Sequence, residues 1–222
     1  MSRITLFTDS RFPCPRRLEL VIVELGLTIN KTHEFDVFKR EQKTPELEQL
    51  NPSGAVPFIQ DDTFNPPLVL AESRAIARYL VRQYGQDIPV EKSLVPDASD
   101  TRAWAMFEEA ASIEQTAFDV AANPLVFEEY FKPKYMGRDP DAEKSQALKQ
   151  RLSTALDVLD KKLRKTKFMA GDKLTLVDLF YVPYVHHLKN DVWPSFLDGR
   201  MHLAAWWKEM ESISSYKTVF GS

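Results

Sequence analysis

The chain has 222 residues, 44% of them hydrophobic and 11% aromatic, with a formal net charge of −3. That length suits two domains with real cores, and the charge gives no electrostatic case for nucleic acid or an anionic membrane as partner. No apolar run approaches the ~18–20 residues of a spanning helix, the N-terminus lacks a leader's apolar core, and a single cysteine, Cys14, excludes an internal disulfide and fits a reducing, cytoplasmic setting.

In chain order, residues 4–7 read as a short strand. Over 15–25, Leu18, Val21, Ile22 and Leu25 recur at helical spacing, and Gly26 stands where a helix stops. Residues 32–38 read as a second strand and 45–50 as a brief helical turn. Residues 56–60 and 68–70 form a hairpin across a loop rich in Asp, Asn and Pro. A helix over 72–84, with Ile76, Tyr79 and Leu80 on one face, closes the unit before Gly85. The order βαβ then ββα is that of a thioredoxin-like domain, spanning 1–85. Residues 86–98 carry no periodic pattern and read as a linker. The rest, 99–222, reads as an all-helical bundle with helices over 100–120, 125–135, 141–165, 176–187 and 201–210, so the fold class is α/β followed by all-α.

Within that bundle Leu152, Leu156, Leu159 and Leu163 make one apolar stripe, which is core. The start of the 176–187 helix is unusually well specified. Thr175 is its N-cap, Asp178 stands three residues on, and Leu174 and Leu179 occupy the staple positions on either side. These residues serve folding rather than chemistry.

The chemistry lies in two stretches of the first domain, Asn51-Pro52-Ser53-Gly54-Ala55-Val56-Pro57-Phe58-Ile59-Gln60 and Ala71-Glu72-Ser73-Arg74-Ala75-Ile76. Pro57 has no N–H, so the strand edge at Val56 is short of a ladder bond. Read alone, Pro57 is also consistent with an ordinary turn proline. Glu72-Ser73 opens a helix whose unpaired N–H groups, with the Ser73 hydroxyl, suit a carboxylate; a plain helix cap is the simpler alternative.

Together these residues resemble the glutathione-binding half of the cytosolic glutathione transferases, in the manner of the phi-type branch, and the likeness is co-linear over almost the whole chain. It implies a cis Val56–Pro57 bond that offers the Val56 N–H and C=O to the tripeptide. It implies glutathione as co-substrate, no metal, a cytoplasmic homodimer, and conjugation of the glutathione thiolate to hydrophobic electrophiles, a detoxification chemistry. Where that family carries a His-Lys pair for the glycine carboxylate, this chain has Gln42-Lys43, although Lys43 also reads as one more solvated lysine. Ala55 replaces a family Gln, which removes one contact.

A thiol with a pKa of about 8.5 is only about 3% thiolate at pH 7. Lowering that pKa by two units takes about 2.7 kcal/mol. A helix N-terminus gives roughly 0.3–1 kcal/mol and at best about 2, and one charge-assisted hydrogen bond gives roughly 1.5–3. Helix end plus one donor suffices. In phi-type relatives the donor is a Ser about four residues before an arginine pair, but here the pair is Arg16-Arg17 and that residue is Phe12. Ser10, two residues earlier, and Cys14, two later, are the candidates, with backbone N–H groups or a non-catalytic protein as further readings. Ser10 also reads as a turn residue and Cys14 as a small buried filler. A catalytic Cys14 would favour deglutathionylase chemistry. A carrier of apolar ligands (a ligandin) and a glutathione-dependent peroxidase share the same site. The acceptor groove is expected between the domains, opened by a helix break at Asn123-Pro124 and walled by Phe118, Phe131 and Phe12.

Overall fold

The structure, a computed structural model, describes residues 2–221, which divide into two compact units. The first holds residues 2–93 together with 214–221, the second residues 94–213.

The first unit is built on a four-stranded sheet of order β2-β1-β3-β4. Strand β1 (Ile4–Thr8) pairs in parallel with β2 (Lys31–Glu34), with Leu6 opposite Thr32, and antiparallel with β3 (Phe58–Asp61), with Phe7 opposite Phe58. Strand β4 (Leu68–Ala71) completes the hairpin with β3. Helix α1 (Pro13–Glu24) buries Leu18, Leu20 and Val21 and ends in Gly26 at φ 57°, the left-handed stop expected of that glycine. Helices α2 (Pro45–Leu50) and α3 (Ser73–Tyr84) follow as read from sequence.

Two elements differ from expectation. The second strand stops at Glu34 rather than Phe38, because the Asp36 carboxylate accepts from the Phe38 N–H and from Arg11 and turns the chain into a short 3-10 turn, Val37–Lys39. The last helix of the chain, Ser214–Phe220, was not anticipated and groups with the first unit, where the Val219 carbonyl accepts from Arg16 of α1 at 2.8 Å.

The second unit is helical. Helices α4 (Thr101–Ile113), α5 (Asp119–Val126) and α6 (Lys132–Met136) run on from one another through two wide five-residue turns, 114–118 and 127–131. The expected break at Asn123-Pro124 is therefore absent: Pro124 lies inside α5, and the wide turns on both sides are a known way for a helix to absorb such an insult. Helix α7 (Ala142–Leu163) lays its Leu152, Leu156, Leu159 and Leu163 stripe into the core, as its spacing predicts. Helix α8 (Leu176–His187) is buried on nearly every side, and α9 (Met201–Ser212) ends the unit, ahead of α10 (Ser214–Phe220), which belongs to the first.

A helix buried all round needs its entry fixed by something other than an apolar face. Asp178 does this. Its carboxylate accepts from the Thr175 N–H (2.9 Å) and hydroxyl (3.1 Å), from the Met169 N–H (2.9 Å) and from Trp206 Nε1 of α9 (2.9 Å). The capping box read from sequence is present, and its acid reaches two further segments. A second buried carboxylate, Glu128, gathers Lys132, Lys144 Nζ (2.8 Å) and the Asp141 N–H (2.8 Å) where α7 begins.

Removing the Asp178 carboxylate strands buried donors at about 1–3 kcal/mol each. Asp178→Ala is expected to lower the urea-unfolding free energy by about 3 kcal/mol or more, and Thr175→Ala by about 1 kcal/mol. Ligand binding by the first unit should be unchanged, and a drop in activity at full stability would contradict the folding role. The hydrogen bonds from Lys132 and Lys144 hold the Glu128 carboxyl down to about 2 from its usual 4.5. Its contribution is therefore complete above pH 4.5 and lost as pH falls towards 2. Thermal melts of Glu128→Gln should be lower than the parent's at pH 7 and converge with them at the acid end.

Candidate functional site

The site is built on the loop leaving β1. Asp9 is buried, and its carboxylate takes Arg11 Nε at 2.8 Å, Arg11 Nη2 at 2.6 Å and the Val37 N–H at 3.1 Å. Arg11 also donates to Asp36 at 2.7 Å, and this bond is the largest reason that the Asp36 carboxyl falls to about 2. The β1–α1 loop is thus pinned by a charge network that sequence reading missed. Its only sequence signal is an acid two residues ahead of an arginine at a strand end.

The loop delivers Phe12 to the N-cap of α1, in extended conformation, and Arg16 N–H closes the first helical bond on the Phe12 carbonyl at 3.2 Å. Between them stand Pro13, Cys14 and Pro15. Prolines have no N–H, so Cys14 carries the one amide N–H that the first three helical positions possess. The Cys14 thiol is half-buried and lies 3.5 Å from Arg17 Nη1. Arg17 itself is wholly buried, and the same nitrogen donates to Ser73 Oγ at 2.8 Å. One guanidinium therefore ties the start of α1 to the start of α3. Sequence reading treated Arg17 only as half of a helix-opening pair, because nothing in a local pattern marks an inward-facing arginine.

Ser10 is placed differently. Its N–H donates to Glu34 Oε1 at 2.6 Å, at the end of β2. Phe12 is half-buried, its ring 5.4 Å from that of Phe38.

The Val56 edge is held by its preceding turn. Asn51 is buried and donates from Nδ2 to the Ala55 carbonyl at 2.8 Å, while its Oδ1 accepts from Ser53 Oγ at 2.9 Å. Gly54 adopts φ 57°, and a Cβ there would lie 2.0 Å from Lys43 Nζ, so the turn needs glycine both for its backbone and for the ammonium. Lys43 Nζ donates to the Ser53 carbonyl at 3.1 Å, which sets a cation on this turn. The neighbouring Gln42 is buried, and its Oε1 has no hydrogen-bond partner among the described residues. The Val56–Pro57 bond is cis. Neither the N–H nor the C=O of Val56 enters a hydrogen bond among the described residues, so both can pair with an extended peptide.

Glu72, the N-cap of α3, sits at φ 71° and ψ 107°. For a residue other than glycine this region costs on the order of 1–3 kcal/mol, and such strain concentrates where ligands are clamped. The outward-facing hydroxyl expected of Ser73 as a carboxylate contact at the helix start is turned inward: the residue is buried and the oxygen accepts from Arg17, which leaves the hydroxyl proton as the group it can still donate.

Phe118 and Phe131 also differ from the reading as groove walls. Both are buried within the helical unit, Phe118 with its ring 4.7 Å from that of Tyr181 and Phe131 stacked 5.8 Å from Tyr135. Their helical spacing marks core, as aromatic stripes commonly do. Among the described residues no helix is long and apolar enough to cross a membrane.

A family model described as the N-terminal domain of glutathione S-transferase matches residues 13–83, and one described as its C-terminal domain matches 120–213. Glutathione S-transferase PM239X14 of Arabidopsis thaliana is 33% identical over 208 residues, covering 93% of this chain and 91% of that protein. Among solved structures, glutathione transferase F7 of Populus trichocarpa superposes with a TM-score of 0.87 at 26% identity, over 98% of both chains. Glutathione S-transferase I from mais, in complex with an atrazine glutathione conjugate, gives 0.85 at 27% identity over 98% of this chain and 96% of that one. With its proline-kinked edge, its strained helix cap and this likeness along almost its whole length, the chain belongs to the glutathione S-transferase family, in its phi-type branch.

Proposed function

We propose that this glutathione transferase holds the tripeptide along Val56 and at the start of α3, with its sulfur at the Cys14 end of α1. Glutathione is the co-substrate, and the thiolate is conjugated to hydrophobic electrophiles. The observation that carries the placement is the Arg17 nitrogen shared by Cys14 Sγ and Ser73 Oγ, since it brings the sulfur's helix and the peptide's helix to one cation. Two helix N-termini and a guanidinium all favour an anion. The Cys14 thiol supplies the short-range donor that the branch's Ser would give, while Ser10 is engaged by Glu34 through its backbone. Phe12, with Phe38 beside it, offers an aromatic surface to the acceptor. No relative named favours the carrier, peroxidase or deglutathionylase readings.

Lys43, with Gln42, is read as the contact for the glycine carboxylate, and Glu72 with the α3 start as the contact for the other end. We also read the protein as a cytoplasmic homodimer. The exposed apolar side chains of Met106 and Val158 are the kind of surface that association covers, and sedimentation at working concentration tests this.

Steady-state kinetics with a chloronitrobenzene test the sulfur's partner. Cys14→Ala should lower kcat/KM about tenfold and raise the pKa of bound glutathione by about one unit, the cost of one charge-assisted donor. Cys14→Ser should retain most activity, and Ser10→Ala should stay within about twofold. Loss in Ser10→Ala with Cys14→Ala unaffected would transfer the role to Ser10. Separately, Lys43→Met should raise KM for glutathione about fivefold or more at nearly unchanged kcat, as expected for an interaction equal in ground and transition states. An equal fall in kcat would place Lys43 in the chemistry instead.

A further inference from the structure

A cavity of 320 Å³ in the first unit lies between β1, β2, α1 and α10. Its walls include Leu6 and Thr8 of β1, Glu19, Ile22 and Val23 of α1, and Glu34 of β2. Ile4, Leu6 and Thr8 share one face of β1, so Thr8 stands where the apolar row would continue. It is 2% exposed, and its Oγ1 is buried with no hydrogen-bond partner among the described residues. Valine would fill the same space without that cost, so the hydroxyl points to a partner that is not part of the chain.

The two carboxylates complete a defined set of acceptors. Glu19 Oε2 is taken by Arg16 Nη1 at 2.8 Å, and Glu34 Oε1 by the Ser10 N–H at 2.6 Å. Among the described residues each acid therefore keeps one oxygen, and with Thr8 Oγ1 these match the three N–H donors of a primary ammonium. Arg16 does not fill that role, since the nitrogen facing Glu19 is shared with the Val219 carbonyl. Burial pushes the Glu19 carboxyl above its usual range, Arg16 draws it back, and the Glu34 charge adds to burial. An incoming cation would offset the repulsion between the two acids, whereas an anion would meet both of them with Arg16 already paired to Glu19. Arg16, Thr32 and Thr218 also line the cavity, and Ile22, Val23 and Ile29 give it an aliphatic stretch.

We propose that this cavity binds a primary alkylammonium or arylalkylammonium ion, its head held by Thr8, Glu19 and Glu34 and its hydrocarbon laid against Ile22, Val23 and Ile29. Its lining includes none of Cys14, Gln42, Lys43, Val56, Glu72 and Ser73, the residues proposed to hold glutathione. Isothermal titration of the full chain, saturated with glutathione, uses n-hexylammonium as probe. n-Hexanol and n-hexyltrimethylammonium serve as controls that lack the charge or the N–H donors. Saturable binding of one equivalent of n-hexylammonium is expected, with both controls about tenfold weaker or worse, the usual effect of losing a charge-assisted hydrogen-bond set. Thr8→Val and Glu19→Gln should each weaken binding about tenfold, with thermal melts confirming that the variants fold. The proposal is overturned if n-hexylammonium does not saturate at millimolar concentration, if the controls bind equally well, if either folded variant binds like the parent, or if glutathione displaces the amine.

Discussion

The proposed glutathione site depends on a cation taken out of water. Burying a guanidinium carries a large desolvation cost that only close polar partners can offset, and Arg17 meets Ser73 and Cys14 with one nitrogen. Those partners are the first residue of α3 and the second of α1. Holding them together aligns two helix N-termini on one place, so that macrodipoles which elsewhere point at solvent act jointly. The charge at the site is thus built from the fold rather than from a cluster of surface lysines, and a low-dielectric setting makes it act at short range.

The helical unit uses the same device with the opposite sign. Asp178 caps α8, but it also takes donors from the segment before that helix and from Trp206 of α9. A helix that is apolar on every face has no amphipathic stripe to set its orientation, so a single buried acid with fixed partners supplies it. In both units one buried charge registers segments that packing alone would leave free to slide.

The start of α1 is set by four residues, Phe12, Pro13, Cys14 and Pro15. Phe12 takes the N-cap where a hydroxyl would be expected, and Pro13 and Pro15 remove two of the three amides behind it. What survives of the helix end as a hydrogen-bond donor is Cys14. The pinned loop of Asp9, Arg11 and Asp36 holds this arrangement, which leaves Ser10 little slack to move towards the start of α1.

Local pattern made much of this legible in the amino-acid order. The strand and helix starts, the glycine stop after α1, the leucine stripe of α7, the capping box of α8 and the Val-Pro and Glu-Ser landmarks all depend on residues within a few positions of one another, whose physics is carried by backbone propensity and spacing. Other features required the chain to be folded. Ser73 turns inward because of an arginine 56 residues away. Ser214–Phe220 is too short to show a period and gains its place only by packing on α1, through a bond spanning 203 residues. β2 ends early because Arg11, on another segment, competes for Asp36. Phe118 and Phe131 became core because α5 and its wide turns run unbroken past Pro124. Direction of burial is a property of which distant surfaces meet, and spacing along one segment does not encode it.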